Sequence, residues 1–467
     1  MLKFIKKNYC YFILYIIVFM ALSYFGFTWF HATGDPIANY GFSNALLRGE
    51  VLYRDFNIIT TPLYPVYLSI GLFIYNNYIT LLISHSLLVT MCFILIYKLF
   101  GNKVYLFLLL SVFTRYANIA PTYNFMCFAM MIIIIYLENK YPDKDYLIGF
   151  FIALSVLSKH TVGCFFIIPS IILYYKYRRK LLKRFIGFII PISIFIIYLI
   201  INNALYQFID LCFLGLFDFL AYNGASHYSV NKVNIVIVII LIFINLRLIF
   251  NDKKNINNYY LLFTSFIAVP LFDFAHITVY LNSVLLMFFP YINIKNKHLV
   301  LLALLPSIVI ESCLLYKYYI FHNDNIILEK DIKYFEFIND SEMRINMEKK
   351  VFNYFDSFND SIIFSWNSMK YSIVRDKKIT YFNVPLNGNF GYNGNRKMIN
   401  KIKKMHNQIF IISIDAYKTR SHTSQFDKEI VKYIIDNYKK IDEDKKLGYA
   451  VYYKEWENSW SFFLFIV

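Results

Sequence analysis

Charge is scarce in this sequence. Asp, Glu, Lys and Arg make up 16% of its 467 residues against 58% hydrophobic side chains, too few for an ordinary soluble protein of that length, so the class is membrane protein. Cysteine is scarce as well. The six, Cys10, Cys92, Cys127, Cys164, Cys212 and Cys313, all fall in apolar runs and form no CxxC pair, which argues against a disulfide framework or a zinc site. Neither GxxxxGK[ST] nor GxGxxG occurs, so a nucleotide site has no support. The first apolar run has no small-residue cleavage site and is expected to stay as an anchor.

What is abundant is apolar sequence. Runs suited to a bilayer core of about 30 Å recur from Tyr9 to Tyr318, and eleven spans are expected. They lie near 9–30, 78–97, 104–116, 121–137, 146–158, 161–175, 185–203, 233–250, 259–272, 277–293 and 298–318. The run 62–75 reads as a re-entrant or interfacial piece that leaves the number of crossings unchanged. Basic residues give the orientation. One set of loops holds eighteen Lys and Arg, six of them between Lys176 and Arg184. The other set holds six: Arg48, Arg54, Arg115, Lys159, Lys232 and Lys317. The amino terminus is therefore expected inside and, after an odd number of spans, the carboxyl-terminal part outside. The formal charge of +17 is mostly this topology, and nothing in it asks for nucleic acid.

Near residue 319 the composition turns charged, which divides the chain into a membrane domain, 1–319, and a soluble extracytoplasmic domain, 320–467. In the tail, short apolar runs at 361–366, 408–414 and 449–453 alternate with helical stretches at 397–405 and 426–438. Strand, helix, strand, helix, strand reads as a small α/β domain. The run LNGNFGYNGN, 386–395, suits either a turn or an anion held by backbone N–H groups.

Acidic residues are few in the membrane half, and six of them, Asp35, Glu50, Asp55, Asp210, Asp218 and Asp273, fall on or near the outward side. Arg48, Arg54, Arg115, Lys159, His160, His227 and His276 join them. Ionisable groups near membrane depth usually face a cavity and mark a functional path. The outward face thus offers carboxylates for general-base work and cations for a phosphate, as an enzyme using a lipid-linked phosphate donor requires. Asp35-Pro36 fits a helix N-cap and first helical position, followed by an apolar face of Ala38, Phe42, Ala45 and Leu46 up to Gly49. The expected element is an amphipathic helix lying on the membrane. Asp35 serves either as its cap or as a reacting group, and the two do not exclude each other.

An Asp just after the first span, a short helix and then LLRGEVLYRDFNIITTPLYPVYL resemble the first outer loop of the GT-C glycosyltransferases, in the branch of the protein O-mannosyltransferases and lipid A aminoarabinose transferases. Three further pieces are similar: PTYNF (121–125), LSKHTVG (157–163) and PLFDFAH (270–276). The resemblance covers about residues 1–320. It implies a polytopic GT-C fold and inverting transfer of a sugar from a polyprenyl-phosphate donor to a glycan, lipid or protein acceptor. Asp35 is implied as the base that takes the acceptor's proton, with Lys159 and Arg54 or Arg115 on the donor phosphate. His160, Asp273, His276, Glu50 and Asp55 are the remaining candidates for substrate binding. Asp273 and His276 lie three apart and share a face on a helical turn. Where many relatives carry Asp-Glu this chain has Asp35-Pro36, so no second adjacent carboxylate is carried over. No cofactor is implied with certainty, and a divalent metal stays open. The rival class is a lipid-sugar flippase or polysaccharide exporter, against which stand the missing internal repeat and the missing pair of Gly/Pro-broken spans.

Overall fold

The computed structural model describes residues 35–101, 122–177, 181–218, 232–253, 255–268, 274–288, 290, 342–365, 367–384, 389–405, 407–414 and 428–454. The expected spans at 9–30, 104–116 and 298–318 lie outside these residues. The chain forms two compact units. One takes most of the apolar helices; the other gathers 342–454 with two shorter segments, 50–59 and 204–218.

The first unit is helical throughout its described length. Its elements are α1 (Asp35–Leu47), α2 (Leu63–Ile74), α3 (Tyr78–Phe100), α4 (Tyr123–Lys140) and α5 (Asp145–Ser158). There follow α6, which runs from His160–Gly163 through a 3-10 turn into Ile167–Tyr177, and α7 (Leu181–Ile201). Among the described residues three helices are long and apolar enough to cross a membrane by themselves: Ile83–Phe100, Leu181–Ile201 and Val233–Asn251. The chain is a helical membrane protein. Helix α7 leaves Ile190, Ile194, Ile197 and Ile201 outside the protein interior, as a lipid-facing helix does. Helix α4 is instead buried on nearly every side from Asn124 to Glu138, which marks the middle of a bundle. The piece at 62–75 is a helix, α2, too short to span.

The first-loop helix differs from the amphipathic surface element expected for it. Both faces of α1 are buried, including Asn39, Ser43 and Asn44 beside Tyr40, Phe42 and Ala45. Polar groups of this helix find partners within the protein. The Tyr40 hydroxyl donates to Asn76 Oδ1 at 3.2 Å, Asn76 Nδ2 donates to Asn44 Oδ1 at 3.0 Å, and the Ser43 hydroxyl donates to the Asn39 carbonyl at 2.7 Å.

Helices α5 and α7 pack most intimately, and two glycines explain how. A Cβ on Gly149 would meet the Arg184 carbonyl oxygen at 1.9 Å, and one on Gly187 would meet the Tyr146 carbonyl oxygen at 2.0 Å. Small residues on both partners let the backbones touch, as in membrane helix pairs. Gly187→Ala is therefore expected to destabilise the protein by about 1 to 2 kcal/mol, read as an earlier thermal unfolding transition in detergent. At the same joint Arg184 reaches across three helices. Its guanidinium donates to Glu138 at 2.6 and 3.1 Å, to Asp145 at 2.7 Å and to the Ser170 hydroxyl at 3.2 Å, and the Tyr260 hydroxyl donates to Glu138 at 3.0 Å. Partnering of this kind is what makes a buried charge tolerable.

The remaining described helices of this unit are α9 (Lys232–Asn251), α10 (Ile256–Phe263) and α11 (Phe274–Phe288). Between α7 and α9 in sequence lies α8 (Leu205–Ile209), prolonged by a π-turn over Asp210–Leu214, which belongs to the second unit.

The second unit is an α/β domain. It holds α12 (Glu342–Asp356), β1 (Ile362–Phe364), α13 (Asn367–Val374), α14 (Gly394–Lys403), β2 (Ile409–Ser413), α15 (Lys428–Asn437), β3 (Lys439–Asp444) and β4 (Tyr449–Tyr453). The strand order is β1-β2-β4-β3, with β1 and β2 parallel and the other pairs antiparallel. Alternation sends Phe364, Phe410 and Ile412 to one face with Met398, Ile402 and Ile434. It sends Ile363, Ile411 and Val451 to the other with Phe352 and Phe355. The three expected strands and two expected helices are present. Strand β3, KKIDED, was not expected: it is an edge strand with no buried residue, and its charges guard an open edge.

Segments 50–59 and 204–218 join this domain through specific bonds. The Glu50 carboxylate accepts the Ile379 N–H at 3.1 Å, and Asn57 Nδ2 donates to the Asn389 carbonyl at 3.0 Å. The Tyr381 hydroxyl donates to the carbonyl of Tyr53, a buried residue held at φ 67°, where a bulky side chain is rarely found.

Candidate active site

Three helix ends meet in the first unit. Helix α4 starts after Thr122, whose side chain accepts the Phe125 N–H. Lys159 sits in extended backbone between α5 and α6, so its side chain leaves at a helix break. His276 lies in the first turn of α11. Asn124 joins them. Lys159 Nζ donates to Asn124 Oδ1 at 2.6 Å, and Asn124 Nδ2 stands 3.3 Å from His276 Nε2. An ammonium only donates, so it fixes the amide with its oxygen toward Lys159 and its NH2 toward the ring. Nε2 of His276 is then the accepting nitrogen. Lys159 Nζ also lies 5.5 Å from the centroid of the Tyr123 ring, a cation–π contact.

All three side chains are buried, Lys159 at 9% exposure, His276 at 9% and Asn124 at 6%. A cation kept at that depth in an apolar bundle is costly unless polar groups surround it. Below the cluster the Cys127 thiol faces the Ser155 carbonyl at 3.9 Å, and the Thr61 hydroxyl donates to the Val156 carbonyl at 2.8 Å, tying α5 to the chain that leads into α2. His85 packs edge-on against Phe125 with ring centroids 5.1 Å apart. His160 is buried beside Lys159. Such a centre, a desolvated ammonium with an amide and an imidazole, can bind and orient an anionic oxygen.

The sequence candidates divide among several places. Lys159, His160 and His276 belong to this unit, with Lys159 and His276 joined through Asn124. Asp35 opens α1 by its backbone, while its side chain lies outside the described residues, as do Arg115 and Asp273. Glu50, Arg54 and Asp55 belong to the second unit. There the Arg54 guanidinium donates to both oxygens of Asp55 at 2.8 and 3.0 Å, and Asp55 accepts the Val51 N–H at 2.7 Å. The Arg54 hydrogen bond holds the Asp55 carboxyl below the usual range, with burial opposing it.

The Gly/Asn run also has an occupant in the described structure. Its backbone N–H groups bind anions, and the anions are the protein's own carboxylates. Tyr392 N–H donates to Asp210 at 3.2 Å, Asn393 N–H to Asp218 at 2.6 Å, and Lys397 Nζ to both oxygens of Asp210 at 2.8 Å. Gly391, at φ 81°, admits no Cβ here, since one would come within 2.3 Å of Asp210 Oδ2.

Asn124 is the residue that sequence reasoning passed over. A single neutral amide in an apolar helix carries no charge or spacing signal; its place in PTYNF was the only pointer. Among the described residues no three His, Cys, Asp or Glu side chains gather as a metal site. No protein-family model matches the chain, and no curated protein matches it.

Proposed function

We propose that the protein is a GT-C-type membrane glycosyltransferase that moves a sugar, with inversion, from a polyprenyl-phosphate donor to an extracytoplasmic glycan, lipid or protein. One observation carries this reading. The segments PTYNF, LSKHTVG and PLFDFAH, more than 30 residues apart in sequence, contribute Asn124, Lys159 and His276 to one hydrogen-bonded cluster. Those are the segments on which the family resemblance rests beyond the first loop.

In this reading the acceptor hydroxyl attacks the anomeric carbon, its proton passes to the Asp35 carboxylate, and the bond from sugar to phosphate oxygen breaks. The phosphate leaves with the bonding electrons, and the ammonium of Lys159 stabilises its added negative charge. Asn124 holds Lys159 at a fixed position, so little reorganisation is needed when that charge develops. His276 and His160 are the candidates for the sugar side, and Arg115 is a further candidate for the phosphate.

The test of donor binding is native mass spectrometry of the detergent-solubilised protein with a polyprenyl phosphate. Wild type is expected to retain one lipid phosphate that Lys159→Ala does not. Equal retention by both would remove Lys159 from the donor site.

The proposed orientation has the amino terminus inside and the α/β domain outside, on the strength of the eighteen-to-six division of basic residues. An alkaline phosphatase fusion after Asn325 is then expected to be active in a bacterial host and one after Lys183 inactive. The reverse pattern would overturn the orientation and the outward active face with it.

A further inference from the structure

Helix α8, its π-turn and the helical turn that follows over 215–218 leave an apolar stripe uncovered. Tyr206 is 67% exposed, Ile209 41%, Phe213 44%, Leu214 42% and Phe217 71%. The opposite side is fastened to the α/β domain. Leu211 and Cys212 are buried, Phe208 meets the Tyr53 ring edge-on at 5.0 Å, and Asp210 takes the Lys397 ammonium and the Tyr392 N–H. The wider turn over Asp210–Leu214 changes the helical phase within the segment. A carboxylate can thereby turn inward while residues on either side of it stay out.

Two features say what covers the stripe. The first is continuity: α7, apolar enough to cross a membrane, ends at Ile201, and α8 begins at Leu205, so the stripe starts within a few residues of the bilayer boundary. The second is charge. Lys397 Nζ lies 6.0 Å from the Tyr206 ring centroid, and Arg396, Lys401 and Lys403 stand exposed on the same helix, α14. An apolar helix face beside exposed basic side chains is the composition of an interfacial element on an anionic lipid surface.

We propose that residues 205–218 form an interfacial helix that sinks its Tyr206–Phe217 stripe into the headgroup and acyl boundary and so holds the α/β domain on an anionic bilayer surface. The Asp210–Lys397 pair, with the backbone of the Gly/Asn run, couples helix to domain. The inference rests on the membrane spans and not on the transfer chemistry.

The experiment uses the full chain in nanodiscs of phosphatidylethanolamine and phosphatidylglycerol doped with a phospholipid carrying a diazirine at its acyl tail. Irradiation, proteolysis and mass spectrometry then locate the adducts. Adducts are expected on Tyr206, Ile209, Phe213 or Phe217 as well as on the Leu181–Ile201 span, with none on Ile441, which is exposed at the far edge of the sheet. In the double variant Phe213→Glu with Phe217→Glu, labelling of this segment is expected to fall on the order of tenfold while labelling of the span persists. Labelled spans beside an unlabelled 205–218 segment in wild type would overturn the proposal. So would amine or photo-cross-links that place the stripe against a second copy of the chain.

Discussion

Asp35→Asn is expected to lower sugar transfer about a hundredfold or more, the scale of a lost general base, while expression and thermal stability stay near wild type. The two outcomes separate because Asn caps a helix about as well as Asp but cannot take a proton. Helix α1 runs from Asp35 to Leu47 and is buried on both faces from Ile37 to Ala45. A group at its start is thus carried by a fixed element rather than by a mobile surface helix. Steady-state turnover against melting temperature is the comparison to make. Near-normal turnover would leave Asp35 as a cap and return the base to an unassigned group.

Lys159→Ala is expected to reduce kcat/KM for the lipid donor by roughly thirtyfold. A phosphate that loses a paired cation in a desolvated site gives up on the order of 2 kcal/mol of transition-state stabilisation. Asn124 sharpens the measurement. With its amide no longer held by the ammonium, its contact to His276 Nε2 becomes free to turn, so the loss should appear in kcat as well as in KM. Unchanged donor kinetics with a lowered melting temperature would make Lys159 a packing residue whose stem fills the bundle.

How far the sequence led can be judged from particular residues. Apolar runs are a composition signal, so the positions of α3 to α7, α9 and α11 are legible within a few residues, whereas the run expected over 259–272 is α-helical only to Phe263 and continues as a 3-10 turn to Ile267. Lys159 and His276 stand out in the sequence because ionisable residues are rare in such runs. The alternating strands β1, β2 and β4 carry a buried face and could be read; β3, with no buried residue, gives no hydrophobic pattern at all. The amphipathic reading of α1 failed for a different reason. Asn39, Ser43 and Asn44 look like a wet face, yet their partners, Asn76 among them, are in the protein. The membership of 50–59 and 204–218 in the α/β domain was beyond reach of any local rule. Glu50 to Ile379, Asn57 to Asn389 and Asp210 to Lys397 are bonds across 329, 332 and 187 residues, and no periodicity records them.

The central claim is that the protein breaks a polyprenyl-phosphate-to-sugar bond. The direct measurement incubates purified full-length protein in lipid nanodiscs with a panel of polyprenyl-phosphate sugars and a cell-envelope extract as acceptor source, and follows free polyprenyl phosphate by mass spectrometry. The account predicts release from at least one donor by wild type and about a hundredfold less from Asp35→Asn. Intact donors throughout, with the same lipids carried from one leaflet to the other in sealed vesicles, would contradict it and make the protein a flippase.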